Sequence, residues 1–87
     1  MKVKKGFVLR KVGKDQVVVA LGEASALLNG LIKLNGSGTF LWEQLAVGAE
    51  REELISALQQ RYSVPSGQAE QDIDAFITTL NGVGCLE

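Results

Sequence analysis

Histidine is absent from this chain of 87 residues, and cysteine and proline occur once each. Without histidine the usual general base is missing, and every serine or cysteine triad that depends on it is excluded. The lone Cys85 allows no intrachain disulfide, and no common zinc set can be assembled around it. A carboxylate pair is the acid–base device that remains, so an enzyme is disfavoured and no cofactor is expected. Long apolar runs are also missing. The longest, Val17 to Leu21, is far short of the ~20 residues a membrane helix needs. The basic start (Lys2, Lys4, Lys5) is followed by no apolar signal segment. The expectation is a cytoplasmic protein with no membrane partner.

What is present is ordinary for a folded domain: 46% hydrophobic and 22% charged residues. That length makes a single domain, residues 1–87, with a modest core and a small surplus of stability. The net charge of −1 conceals a division. Six of the nine cations lie in the first fourteen residues, whereas from Leu34 onward eight acids face only Arg51 and Arg61. One end is basic and the other acidic.

Gly6 to Val12 reads as a strand, Gly13-Lys14-Asp15 as a turn, and Gln16 to Leu21 as a second strand closed by Gly22. The stretch Glu23 to Leu28, with Ala24, Ala26, Leu27 and Leu28, fits either a helical turn or a crossing loop. Leu31-Ile32-Lys33-Leu34 is a third, very short strand between Asn29-Gly30 and Asn35-Gly36. Asn35 suits the N-cap of a helix over Gly36 to Ala46, which Gly48 ends. A second helix spans Glu50 to Tyr62, with Leu54, Ile55, Leu58 and Tyr62 as its apolar stripe. Pro65 marks a break. Ser66 is the expected N-cap of a third helix reaching about Asn81, closed by Gly82. Ala69, Ile73, Phe76, Ile77 and Leu80 form its inner face, and Gly84-Cys85-Leu86 should fold back onto the core. The order βββααα indicates an α+β domain, a three-stranded antiparallel sheet followed by three helices.

Few features carry chemistry. Gly36-Ser37-Gly38 opens a helix but lacks a Walker lysine and the full glycine fingerprint of a nucleotide fold. Cys85 has no basic neighbour in sequence to activate it and reads as a small buried hydrophobe. Phe40 and Trp42, beside Leu41 and Leu45, read as core. The last two helices resemble a helix-turn-helix, so a winged-helix DNA-binding protein is the alternative reading. Charge opposes it. The third helix carries Glu70, Asp72 and Asp74 with no Lys or Arg, whereas affinity for DNA comes chiefly from cations on phosphate. No nucleic-acid partner is expected. The short third strand leaves unpaired backbone groups at a sheet edge. Two readings stay open: an edge kept short to avoid aggregation, or a template for an added peptide strand.

Leu34-Asn35 followed by Gly38, Phe40 and Trp42 resembles a conserved segment of the PqqD family, named for pyrroloquinoline quinone biosynthesis. Asp72-Ile73, Phe76-Ile77, Leu80 and Gly84-Cys85-Leu86 resemble the ending of that family, and Glu53-Leu54-Ile55 with Tyr62 fit its middle helix. The resemblance spans roughly Phe7 to Leu86. It departs from the family at Gly36-Ser37-Gly38 and in a long connection over Ala20 to Gly30. It implies a winged-helix-like recognition domain. Such a domain binds the leader segment of a ribosomally made precursor peptide by strand addition and presents it to a modifying enzyme, often of the radical SAM type. The product is the quinone or another modified peptide. The implied peptide-binding residues are Leu31, Ile32, Lys33 and Leu34 on the third strand and Asp72, Ala75, Phe76 and Thr79 on the third helix. Alternation along the strand places Ile32 and Leu34 toward the core, worth about 2 kcal/mol each if buried, and Leu31 and Lys33 on the other face. Asp72 either pairs with a basic leader residue or sits on a solvated face. The open edge also allows two copies to pair, so a monomer or weak homodimer is expected.

Overall fold

A two-residue turn organises the sheet. In the computed structural model, which describes residues 1–26 and 30–87, β1 (Phe7–Val12) and β2 (Asp15–Ala20) are joined by Gly13-Lys14. Gly13 has φ 63°, the positive value that the first central position of a hairpin turn matched to strand twist requires. The strand therefore resumes at Asp15, one residue earlier than the turn chemistry of Gly13-Lys14-Asp15 suggests. Gly22–Ala26 forms a 3₁₀ turn with Ala24 buried, which resolves part of the ambiguous connection as helical. Leu27, Leu28 and Asn29 lie outside the described residues. β3 (Leu31–Leu34) pairs antiparallel with β2, giving the order β1-β2-β3.

Three helices follow: α1 (Gly36–Val47), α2 (Arg51–Tyr62) and α3 (Ser66–Gly82). The βββααα order and the α+β class are those read from the sequence. No connecting loop separates β3 from α1. Asn35 caps the helix directly, its Oδ1 accepting from the Gly38 N–H at 2.8 Å. Gly38 is buried here, and a Cβ on it would stand 3.1 Å from that oxygen and 3.4 Å from the Leu34 Cβ. A bare backbone is what lets the strand end press against the first helical turn. At the start of α2, Glu50 is the cap and not a helical residue; its N–H donates to the Glu53 carboxylate at 2.9 Å. Ser66 is not a cap. Pro65 holds that position with extended ψ 147° and no side-chain bond, because its fixed φ already suits the helix entry. The chain reverses after α3 at Gly84 (φ 75°), two residues beyond the expected Gly82.

The core lies between one sheet face and the helices. Phe7 and Val18 meet Leu41, Trp42, Leu45, Leu54, Leu58, Ile73 and Leu80 there, with Cys85 and Leu86 folded in from the tail. No buried side-chain polar atom among the described residues lacks a partner. Phe40 and Tyr62 depart from the expected pattern. Phe40 is only half-buried and Tyr62 is 42% exposed. Both stand at a rim where the core gives way to a groove. Tyr62 is the last residue of its helix, where the stripe runs beyond the core. Among the described residues, no helix is long and apolar enough to cross a membrane.

Candidate functional site

A groove of about 1030 Å³ lies between β3 and the helices. Ile32, Lys33 and Leu34 form one side, with Asn35, Gly36, Gly38 and Phe40 at its head and Arg61, Tyr62, Phe76, Thr79 and Leu80 opposite. A second hollow of about 640 Å³ adjoins it, lined by Asp72, Ala75, Phe76 and Thr79 of α3 with Val64, Leu58 and the start of α1. The two share Asn35, Gly36, Gly38, Tyr62, Phe76 and Thr79, so they are one continuous trough. Seven of the eight residues singled out above line it. The side chain of Leu31 does not. It is 57% exposed; Lys33 shares its sheet face by alternation but, unlike Leu31, is among the residues lining the trough. Ile32 and Leu34 do turn inward, yet both stay half-buried because the trough opens over them. Their burial is worth correspondingly less than the full figure of about 2 kcal/mol.

Ladder parity decides which backbone groups of β3 face the trough. The Leu21 N–H donates to the Gly6 carbonyl at 2.7 Å, and these residues lie opposite each other when the Phe7–Ala20 register is continued by one. Hydrogen-bonded pairs alternate along an antiparallel ladder. Val8–Val19, Arg10–Val17 and Val12–Asp15 are therefore bonded pairs, and the two-residue turn closes on the last of these, as such hairpins do. Gln16 and Val18 consequently direct their backbone toward β3, where Leu34 and Ile32 stand opposite. The N–H and C=O of Leu31 and Lys33 are left pointing out of the free edge. Among the described residues these four backbone groups, two donors and two acceptors, have no partner and are open to a further strand.

The other edge, β1, is differently placed. Its Arg10 and Lys11 are exposed charges, which guard an edge against pairing, and no β1 residue lines the trough.

Electrostatics in the trough are mixed. Lys33 Nζ lies 3.3 Å from Asp15 Oδ1, an exposed pair of little energetic worth. The Asp72 carboxylate accepts from Gln68 at 2.7 Å, and the Thr79 hydroxyl donates to the Ala75 carbonyl at 3.0 Å. Arg61 stacks over Phe40, its guanidinium carbon 5.3 Å from the ring centroid, and lies 6.0 Å from that of Tyr62. The two rings meet edge to face at 6.0 Å. Outside the trough, Arg51 clasps Asp74 with two bonds of 2.7 and 3.0 Å, which tie α2 to α3. The guanidinium holds the Asp74 carboxyl below its ordinary range. Burial pushes the Cys85 thiol up, with Lys4 opposing, so the thiol is no nucleophile at neutral pH. No group of three or more metal-ligating side chains occurs among the described residues.

Sequence reasoning passed over Phe40, Arg61 and Tyr62 as site residues. Apolar periodicity cannot separate a core position from a groove wall, and a lone arginine at a helix end carries no pattern. The Arg61-Tyr62 pair just before the Pro65 break was the one available signal.

The family model for PqqD, coenzyme PQQ synthesis protein D, matches residues 15–86. Among solved structures, TbiB1 in complex with the TbiA(beta) leader peptide superposes with a TM-score of 0.80 at 25% identity, covering 100% of this chain and 95% of that one. Lasso peptide synthetase B1 complexed with the leader peptide gives 0.75 at 20% identity, over 97% of this chain and 93% of the other. No curated protein sequence gives a significant match.

Proposed function

The chain belongs to the PqqD family, and from that membership and the shape of the trough we propose that it binds the leader segment of a ribosomally made precursor peptide. The leader adds to the sheet as a strand on β3 and lies between that edge and α3. The observation that carries this reading is the free edge itself. Leu31 and Lys33 offer four backbone groups that no described residue pairs, beside a trough walled by Phe40, Tyr62 and Phe76. Main-chain bonds supply affinity, and the side-chain hollows supply selectivity. Both solved structures of similar fold are described as complexes with leader peptides.

In this reading the protein is not an enzyme. It presents the bound precursor to a modifying enzyme, of the radical SAM type or another peptide-modifying class, in the cytoplasm, as a monomer or weak homodimer. Ile32 and Leu34 form the floor of the site beside the edge. Ala75, Phe76 and Thr79 form the far wall, and Asp72 receives a basic leader residue in the second hollow.

The test is an amide NMR titration with synthetic leader peptides taken from any short precursor gene found beside this one. Leu31, Lys33 and the Asp72–Thr79 face of α3 should shift together. Binding that left those amides unmoved while shifting β1 would place the site elsewhere.

A further inference from the structure

We propose that Arg61 sets the selectivity of the trough, and that it selects a carboxylate: an Asp or Glu side chain of the added strand, at the position lying against Phe40 and Tyr62. This rests on the peptide-binding reading above and adds the chemistry of the side chain accepted.

The cations around the trough are not equivalent. Lys33 is engaged with Asp15, and Arg51, outside it, is held by Asp74. Lys14 sits exposed in the hairpin turn at the margin. Arg61 alone of the groove cations is stacked on aromatic rings, and among the described residues it makes no ion pair. The guanidinium carbon lies over the Phe40 ring with the Tyr62 ring beside it, and its N–H donors have no side-chain partner among the described residues, which leaves them for an occupant. A planar fork of donors is matched by a carboxylate, which accepts two bonds at once.

The surrounding charges agree. Glu43 of α1 and Asp15 are the acids lining this hollow. Asp15 is taken by Lys33, which leaves Lys14 and Arg61 against Glu43. Asp72 lines only the neighbouring hollow. The hollow that Arg61 lines therefore favours an anion, and the neighbouring hollow with Asp72 a cation. A peptide laid along β3 would also exclude water from the Arg61 pair and strengthen it.

The experiment is a selection from a displayed library of random ten-residue segments, flanked on both sides by constant sequence so that no free terminus can occupy the trough. The bait is the whole chain as wild type, Arg61→Gln and Arg61→Glu. Arg61 is exposed, and unchanged thermal melts should verify that both variants fold. Wild type should enrich a strand-like apolar pattern with Asp or Glu at one fixed position. Arg61→Gln should keep the apolar pattern and lose the acidic preference, and Arg61→Glu should replace it with Lys or Arg. Changing that acid to its amide in an enriched peptide should weaken binding to wild type by about tenfold and leave binding to Arg61→Gln unchanged. An apolar pattern without acidic preference, or an acidic preference that survives Arg61→Gln, overturns the role of Arg61 and leaves the peptide-binding reading standing. Enrichment of nothing, or of peptides whose binding is unaffected by Lys33→Pro, overturns both.

Discussion

Proline substitutions at adjacent positions of β3 should have opposite consequences, and the difference follows from ladder parity. Lys33 points its N–H away from the sheet, so Lys33→Pro removes no bond of the free protein. It forfeits the exposed contact with Asp15, worth at most about 1 kcal/mol, and proline is tolerated where an edge N–H faces solvent. The melting temperature should move by a few degrees at most. Binding should suffer much more. One main-chain bond to the docked strand is lost, and the carbonyl that would have accepted it is left buried without a donor. Together these cost about 2 kcal/mol, close to a thirtyfold rise in Kd. Ile32→Pro reverses the pattern. It deletes a bond of the β2–β3 ladder opposite Val18, a residue with 0% exposure. That costs roughly 2–4 kcal/mol with the stranded carbonyl included, a large share of the ~4–13 kcal/mol expected for a domain this long. Circular-dichroism melts and fluorescence-polarisation binding of a labelled leader separate the two, with Lys33→Ala as the control that keeps the N–H. If Lys33→Pro bound as well as Lys33→Ala, the edge would not be the docking template and the parity argument would fail.

Other perturbations test the scaffold. Asn35→Ala removes the cap oxygen that joins strand to helix and should lower stability by about 1 kcal/mol, read as a reduced urea midpoint with unchanged slope. Cys85 should resist thiol reagents at pH 8 in the native protein and react once denatured. Its thiol titrates higher folded than unfolded. The linked stability is therefore complete below about pH 9, the ordinary thiol value, and declines as pH rises past it; Cys85→Ala should flatten that alkaline limb. Asp74 behaves in the opposite sense. Its carboxyl titrates lower folded than unfolded because of Arg51, so its contribution is present above the ordinary carboxylate range and is lost on acidification below it. Asp74→Asn should make acid unfolding in that range shallower.

Local chemistry proved the readable part of this chain. Asn35 announced its cap, Gly48 its helix end and Pro65 its break, because each depends on neighbours within a few residues. Asp15 misled because its residue type suits a turn, whereas the positive φ of Gly13 closes the hairpin one residue sooner. Phe40 and Tyr62 misled for a different reason. Their spacing from Leu41 and Leu58 is helical, but whether a face meets core or open trough depends on where the other elements stop. The parity of β3 was equally out of reach. Four residues state which side chains alternate, but only pairing with β2 states which N–H groups point outward. Arg61 needed two rings from two different helices to become distinctive.

The two ends of the chain are knitted together. Val3 bridges Leu86, the Lys4 N–H donates to the Cys85 carbonyl at 2.7 Å and the Glu87 N–H to the Lys2 carbonyl at 2.8 Å. Met1, Lys2 and Glu87 meet at a cleft that has no residue in common with the trough. The domain is in effect a closed loop with its working surface elsewhere. A short covalent link between the ends would nearly complete the circle. A tether attached at either end leaves the trough clear, so this unit can be carried on another protein without surrendering its cargo.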